Sequence, residues 1–316
     1  MTLSVIIPTY NQRNELASCI DTLRKETTDS EIIVVNGPST DGTSGSIHDR
    51  SDVDVLIECS SRNINIARNA GIRASSGDSI AFLAPCVQIE SSWEAAITAS
   101  MSRGADAVSG PSKPDRREPE HDELPADQST ALPLNDDNFA VTRGAITALD
   151  GFDEYLVVNG VVDAHKRLQS LDMQIMWHPE MVVEIGERSA AETTRTARFE
   201  SSHWVDENNI DWGRIYRSRA YLAVKHDGSG IKTLGRIGTQ AIRDGLASTI
   251  AVARGHRPPS SWAGIGVSVA KNIGAGVRAG RSARDADHTD AKNPHGLSYA
   301  ASQPMIAAVH DWRDSD

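Results

Sequence analysis

Three short apolar runs, each ending in a cluster of turn-forming residues, constrain this chain more than anything else in it. Ser4-Val5-Ile6-Ile7 empties into Pro8-Thr9-Tyr10-Asn11, Glu31-Ile32-Ile33-Val34-Val35 into Asn36-Gly37-Pro38-Ser39-Thr40-Asp41-Gly42-Thr43, and Ile80-Ala81-Phe82-Leu83 into Ala84-Pro85-Cys86. Such runs read as buried strands. Between the first two, Leu16, Cys19, Ile20 and Leu23 form one apolar face of a helix from Glu15 to about Glu26, with Asn14 as its cap. Strand, helix and strand make a βα unit and predict a parallel sheet. Ligands of open parallel sheets bind beyond the carboxyl ends of the strands, so the three tails are expected to face one cleft.

The rest of the front half supports this layout. Arg68 to Ala74 mixes small and apolar residues at helical spacing, and Ser75-Ser76-Gly77-Asp78 is turn chemistry that feeds the third run. Asp52 to Glu58 suits a further strand, Ile89 to Met101 a helix, and Ala107 to Gly110, Met173 to Trp177 and Val182-Val183 strands. Pro111 to Asp137, rich in Pro, Asp and Glu, reads as a long polar loop or flap over the cleft.

The net charge of -11 conceals a division. Residues 1–187 hold 14 Lys+Arg against 30 Asp+Glu, residues 188–284 hold 16 against 7, and residues 285–316 hold 2 against 6. The acidic front argues against a nucleic-acid partner, and the basic part points to an anionic surface. Within it, Trp204 to Lys225 mixes aromatics with arginines, while residues 231–250 and 262–277 show apolar residues at near-helical spacing flanked by Lys232, Arg236, Arg243, Lys271, Arg278 and Arg281. Basic amphipathic helices with interfacial aromatics suit an anionic leaflet, and the alternative is a helical pair packed on the front half. Residues 285–316 are expected to be disordered. Only seven of the 32 basic residues are lysine, as expected of a protein kept soluble in molar salt, which suggests a halophilic archaeon. Three cysteines without ligand spacing fit a reducing cytoplasm, no charged-then-apolar leader is evident, and no apolar run reaches 18 residues.

Taken together, Ser4 to Asn11, Glu31 to Thr43 and Ala67 to Val87 resemble the nucleotide-binding half of family-two glycosyltransferases with the GT-A fold. The resemblance covers roughly residues 1–190 and implies an α/β fold with a mostly parallel central sheet, C-terminal helices and a cleft for a nucleotide-activated sugar. It assigns Pro8, Thr9, Tyr10, Asn11, Asn36 and Asp41 to the base and ribose, Arg68 to the diphosphate, Asp78 to the rim of the base pocket and Cys86 to the cleft. Asn36 offers both donors and an acceptor to a uracil-like edge, and equally serves as a turn former.

Two departures stand out. Family members place aspartates after the third run to bind a divalent ion, and this chain has Ala84-Pro85-Cys86, a poor site for hard Mg²⁺ or Mn²⁺. Anchored on Arg167-Leu168, the family's Glu-Asp pair falls on Gly160-Val161, leaving Asp163 as the nearest carboxylate for the general base, or as a helix N-terminal charge. The implied division is residues 1–190 for the transferase domain, 191–284 for a membrane-associating helical region and 285–316 for an acidic tail. The expected function is transfer of a sugar, a hexuronic acid among the options, to a dolichol phosphate-linked glycan for an archaeal surface (S-layer) glycoprotein. The site would be the cytoplasmic face of the cell membrane. The alternative is a catalytically silent binding subunit that supports an active enzyme.

Overall fold

The protein's structure, a computed structural model, describes residues 2–114, 133–186, 211–253, 259–286, 293–298 and 305–313. In chain order the front half contains β1 (Leu3–Thr9), α1 (Arg13–Glu26), β2 (Glu31–Asn36), α2 (Thr43–His48), β3 (Val55–Cys59), α3 (Ile64–Ala74), β4 (Ser79–Leu83), β5 (Val87–Ile89) and α4 (Trp93–Ser102). There follow β6 (Ala107–Ser109), β7 (Ser112–Pro114), β8 (Asn138–Thr142), α5 (Arg143–Ala148), α6 (Gly160–Ser170), β9 (Ile175–Trp177) and β10 (Val183–Ile185). The rear part holds α7 (Trp212–Asp227), α8 (Ile231–Ala253), α9 (Pro259–Asp285) and β11 (Ile306–Asp311).

The three apolar runs lie side by side. The main sheet has the order β11-β3-β2-β1-β4-β8-β6-β9. Strands β3, β2, β1 and β4 are mutually parallel, β6 and β9 are parallel, and β8 and β11 run antiparallel to their neighbours. Both faces are covered, as continuous apolar runs require. Alternate residues Ile6, Ile33, Val35 and Phe82 pack with Ala67 and Ala70 of α3, while Val5, Ile7 and Val34 pack with Leu16 and Ile20 of α1.

Several expectations change. Ile89 ends the short strand β5 and the helix begins only at Trp93. The Val182-Val183 segment joins β5 and β7 in a separate sheet of order β5-β10-β7. Of the flap, residues 115–132 lie outside the described residues. The tail beyond residue 285 is not a disordered appendage where it is described: β11 pairs with β3, and Asn293 Nδ2 and Leu297 N donate to the carbonyl of Asp150 at 2.9 and 2.8 Å.

Helix α7 also departs from the picture of a helix lying on a leaflet. Ile215, Tyr216, Tyr221, Val224 and Lys225 are buried, and α9 packs along the helix at close range. A Cβ added at Gly276 would stand 2.3 Å from the carbonyl oxygen of Arg217, and one at Gly280 would stand 2.8 Å from that of Tyr221. Gly276→Ala is therefore expected to cost about 1–3 kcal/mol through overpacking. The check is the urea midpoint, and an unchanged midpoint would rule out so close an approach. Leu246, Ile250, Arg254 and Trp262 fall outside the described residues or side chains.

Candidate functional site at the carboxyl edge of the parallel strands

Because β1, β2, β3 and β4 run the same way, their tails emerge at one edge. Thr9 stands opposite Asn36, and Asn36 opposite Glu58. The tails of β1 and β2 are laced together: the Asn11 amide donates to Ser39 Oγ at 2.9 Å, the Thr40 amide to Asn11 Oδ1 at 2.7 Å, and the Arg13 amide to Asp41 Oδ2 at 3.0 Å. Asn11 adopts φ 52°, which asparagine tolerates better than most residues. Pro8 sits within β1 opposite Val35. The Tyr10 ring is buried, with the Arg62 guanidinium 4.9 Å from its centroid. Thr9 Oγ1 is buried and makes no hydrogen bond within the described residues.

Two residues at this edge already spend their polar groups on the scaffold. Asn36 Nδ2 donates to Ser44 Oγ at 2.8 Å and Glu58 Oε2 at 3.0 Å, and its Oδ1 accepts from Ser39 Oγ at 2.7 Å. A base could pair with this amide only by displacing one of those partners. Asp41 accepts from the Thr43 amide at 3.1 Å and the Thr43 hydroxyl at 2.5 Å. Burial works to raise its carboxyl, and the Thr43 hydroxyl with the Arg13 and Thr43 amides outweighs it, holding the carboxyl below the usual range.

Helix α3 starts at the same edge, capped by Asn63, whose side chain accepts from the Asn65 amide at 2.9 Å. Asn65 Nδ2 donates to the carbonyl of Leu156 at 2.9 Å, while Asn69 Nδ2 donates to the carbonyl of Phe152 and Asn69 Oδ1 accepts from its amide, at 2.9 and 2.8 Å. The asparagines thus tie the segment 152–156 to α3. Arg68 lies between them, buried, its NH2 nitrogen 2.5 Å from Asp136 Oδ1 and its guanidinium carbon 5.2 and 5.9 Å from the rings of Phe152 and Phe139. Its Nε makes no hydrogen bond within the described residues. Arg68 therefore meets the cleft through Asp136.

The β4 tail is next to this pair. The Ala84 amide donates to the carbonyl of Asp137 at 3.1 Å, and Cys19 Sγ lies 3.9 Å from the carbonyl of Ala84. Cys86 is buried. Burial pushes the Cys19 thiol far up, with Cys86 adding to it, so Cys19 is an inert thiol here. These residues do not fit a divalent cation: Ala84-Pro85-Cys86 brings no carboxylate, Asp136 is held by Arg68, and no group of three His, Cys, Asp or Glu is arranged for a metal among the described residues.

Asp78 and Asp163 do not join the cluster. Asp78 precedes β4 and so lies at the opposite edge, where its carboxylate accepts from the amide and hydroxyl of Thr2, both at 3.0 Å. Asp163 is fully buried, with Oδ2 2.7 Å from Arg167 Nε and Oδ1 2.8 Å from both Lys225 Nζ and His226 Nε2. Burial works to raise its carboxyl, and Lys225, Arg167 and His226 together hold it well below the usual range. A carboxylate without solvent access, clamped by three cationic or donor groups, cannot take a proton from an acceptor hydroxyl, so the general-base assignment is corrected to a structural one. A Cβ added at Gly160, at the family's acidic position, would stand 2.1 Å from Asn65 Oδ1, so a side chain there requires Asn65 to move.

Sequence reasoning missed Glu58, Asn65 and Asp136. The rule that selected Asn36, a polar residue at the carboxyl end of a buried strand, also selects Glu58. Asp136-Asp137 stands just before the apolar run Phe139-Ala140-Val141, but only the antiparallel pairing of β8 with β4 brings this segment to the Ala84 tail.

A mostly parallel sheet with helices on both faces, and strand tails joined at one edge, is the GT-A arrangement. Among solved structures, the chain resembles Staphylococcus aureus TarS 1–349 in complex with UDP-GlcNAc, with TM-score 0.55, 16% identity, and 71% of this chain and 66% of that one covered. It also resembles the mannosyltransferase PcManGT from Pyrobaculum calidifontis in complex with GDP-Man and Mn²⁺, with TM-score 0.52, 16% identity, and 88% and 86% covered. Residues 4–136 match the model of Glycosyl transferase family 2. Glycosyltransferase AglE of Haloferax volcanii is 32% identical over 116 residues, 34% of this chain and 38% of that protein. Glycosyltransferase GlyA of Streptococcus pneumoniae is 34% identical over 85 residues, 26% and 12% respectively. These matches span well under half the length of either relative.

Proposed function

We propose that the protein transfers a sugar from a nucleotide-activated donor to a lipid-linked glycan, peripherally at the cytoplasmic face of the membrane. The observation that carries this reading is the joining of the β1, β2 and β4 tails at one edge, with Tyr10 and Arg62 at one end and Arg68-Asp136 at the other. In this reading the base and ribose lie over residues 8–11 and 36–41, and the diphosphate points toward the Ala84 tail. Asp136 or Asp137 takes the acceptor proton in this reading, since the backbone of this segment pairs with that tail. The matched stretch of AglE and the acidic, lysine-poor composition support a halophilic archaeal setting, with dolichol phosphate as the lipid and a surface (S-layer) glycoprotein as the destination. A hexuronic acid donor stays within this proposal. No helix among the described residues is long and apolar enough to cross a membrane, so attachment would use exposed helix faces.

One observation favours the second reading, a silent binding subunit: the family's metal and base positions are filled by Ala84-Pro85-Cys86 and Gly160-Val161. Calorimetric titration with UDP and GDP, in EDTA and then with Mn²⁺, tests the donor site. Binding of at least one nucleotide with a dissociation constant between about 1 μM and 1 mM is expected, within about threefold with or without the metal. No binding in either condition would discard the donor site. Binding without sugar transfer to dolichol phosphate-linked glycans would select the silent subunit.

A further inference from the structure

A groove of about 380 Å³ lies between α6, α7 and α8. Its walls carry Lys166, Arg219 and Arg236 against one carboxylate, Asp227. Asp227 draws two of these cations to itself, Lys166 Nζ at 3.2 Å and Arg236 at 2.6 Å, and all three side chains keep a third or more of their surface exposed. Ion pairs so exposed contribute little, so an incoming phosphate group can take over the same cations at small cost. Arg219 lies with its guanidinium carbon 5.5 Å from the Tyr216 ring centroid. Arginines presenting forked donors in a concave, partly apolar site suit a phosphate group.

The two ends of the groove differ. One is Asn159, whose neighbour Gly160 rests on Asn65, one turn ahead of Arg68, so this end adjoins the strand-tail cluster. The other is α8. That helix turns Thr233 and Ile237 inward and leaves Ile231, Leu234 and Ile242 exposed at 92%, 37% and 65%. Positions i, i+3 and i+11 fall along one stripe of a helix, and the exposed Lys232 and Arg243 lie beside it. An apolar stripe edged with cations matches the boundary between hydrocarbon and anionic headgroups.

We propose that this groove receives the phosphate of an isoprenoid lipid carrier, with the α8 stripe against the hydrocarbon and the glycan directed past Asn159 toward the strand tails. The proposal rests on the lipid-linked acceptor put forward above and names the site that would hold it.

The test is flotation of the full chain with phosphatidylcholine vesicles carrying dolichyl phosphate, against vesicles carrying phosphatidylglycerol at equal charge, with inorganic phosphate as soluble competitor. The wild type is expected to bind dolichyl phosphate vesicles about tenfold more tightly. Arg219→Gln combined with Arg236→Gln should remove that preference while keeping phosphatidylglycerol binding, the thermal midpoint and UDP affinity. Ile231→Ser with Ile242→Ser should weaken binding to both vesicles. Equal binding of the wild type to both vesicles, retention of the preference by the arginine variant, or full competition by inorganic phosphate would each overturn the assignment. A wild type that prefers dolichyl phosphate but binds no nucleotide would sink the donor site and leave the groove standing.

Discussion

Lys225→Met is expected to lower the unfolding free energy by about 3–5 kcal/mol, the usual cost of leaving a buried charge without its partner. Lys225 Nζ stands 2.8 Å from both Asp153 Oδ2 and Asp163 Oδ1, and all three side chains are buried. Tyr221 Oη donates to Asp153 Oδ2 at 2.5 Å, and Arg167 holds the other oxygen of Asp163. Taking the ammonium away leaves two buried carboxylates, Asp163 with Arg167 and His226 and Asp153 with His295. The same cluster fixes the sign of the pH dependence. Burial works to raise the Asp153 carboxyl, and Lys225 together with the His295 hydrogen bond outweighs it, so that Asp153, like Asp163, titrates below its usual range in the folded chain. Such groups contribute stability that is present above the unfolded carboxylate pKa of about 4 and is lost as pH falls through the lower folded values. In Lys225→Met, burial without the ammonium reverses the shift, so the penalty is largest at neutral pH and eases on acidification. Urea unfolding of both proteins between about pH 7 and pH 5 reads this: the gap between wild type and variant is expected to narrow toward pH 5. A variant that tracks the wild type across this range would show that the ammonium does not control these carboxylates.

Arg68→Met should reduce transfer by about 100-fold in kcat, with a smaller change in nucleotide affinity. Arg68 is buried and, among the described residues, its ion pair is the 2.5 Å contact with Asp136, so its loss is felt as misplacement of that carboxylate. A displacement of about 1 Å at a reacting centre costs on the order of 100-fold. Methionine fills much of the space over Phe139 and Phe152, which limits the packing loss. Single-turnover rates and UDP affinity, measured separately, distinguish this from direct grip of the diphosphate: a collapse of affinity with an unchanged rate would mean that the guanidinium itself meets the phosphates. Asp136→Asn, which leaves the buried guanidinium without its anionic partner, should reproduce the rate loss at some cost in stability.

The parts of this architecture legible in the sequence are those written within a dozen residues. Each apolar run and its polar tail announce a buried strand and an exit, and a helix between two runs forces them parallel, so the meeting of Thr9, Asn36 and Ala84 at one edge follows from local pattern. Direction along a strand was also written there: Asp78 stands before β4 and not after it, and that order alone places it at the far edge. The clamp on Asp163 was not legible. Its position in the first turn of α6 is equally good for a dipole charge, a base or an ion pair, and the choice is made by Lys225 and His226 from a helix some sixty residues away. Strand β11 was hidden for the same reason, since Ile306 to Asp311 alternates weakly and finds its register only against β3.

That strand has a consequence for the order in which the molecule can assemble. Because β11 follows α7, α8 and α9 in the chain, the ribosome must deliver the whole helical region before the outer margin of β3 gains its neighbour. A fragment ending near residue 190 would display that margin bare, with free amides and carbonyls available to any passing strand, and would be prone to self-association even with its own core fully formed.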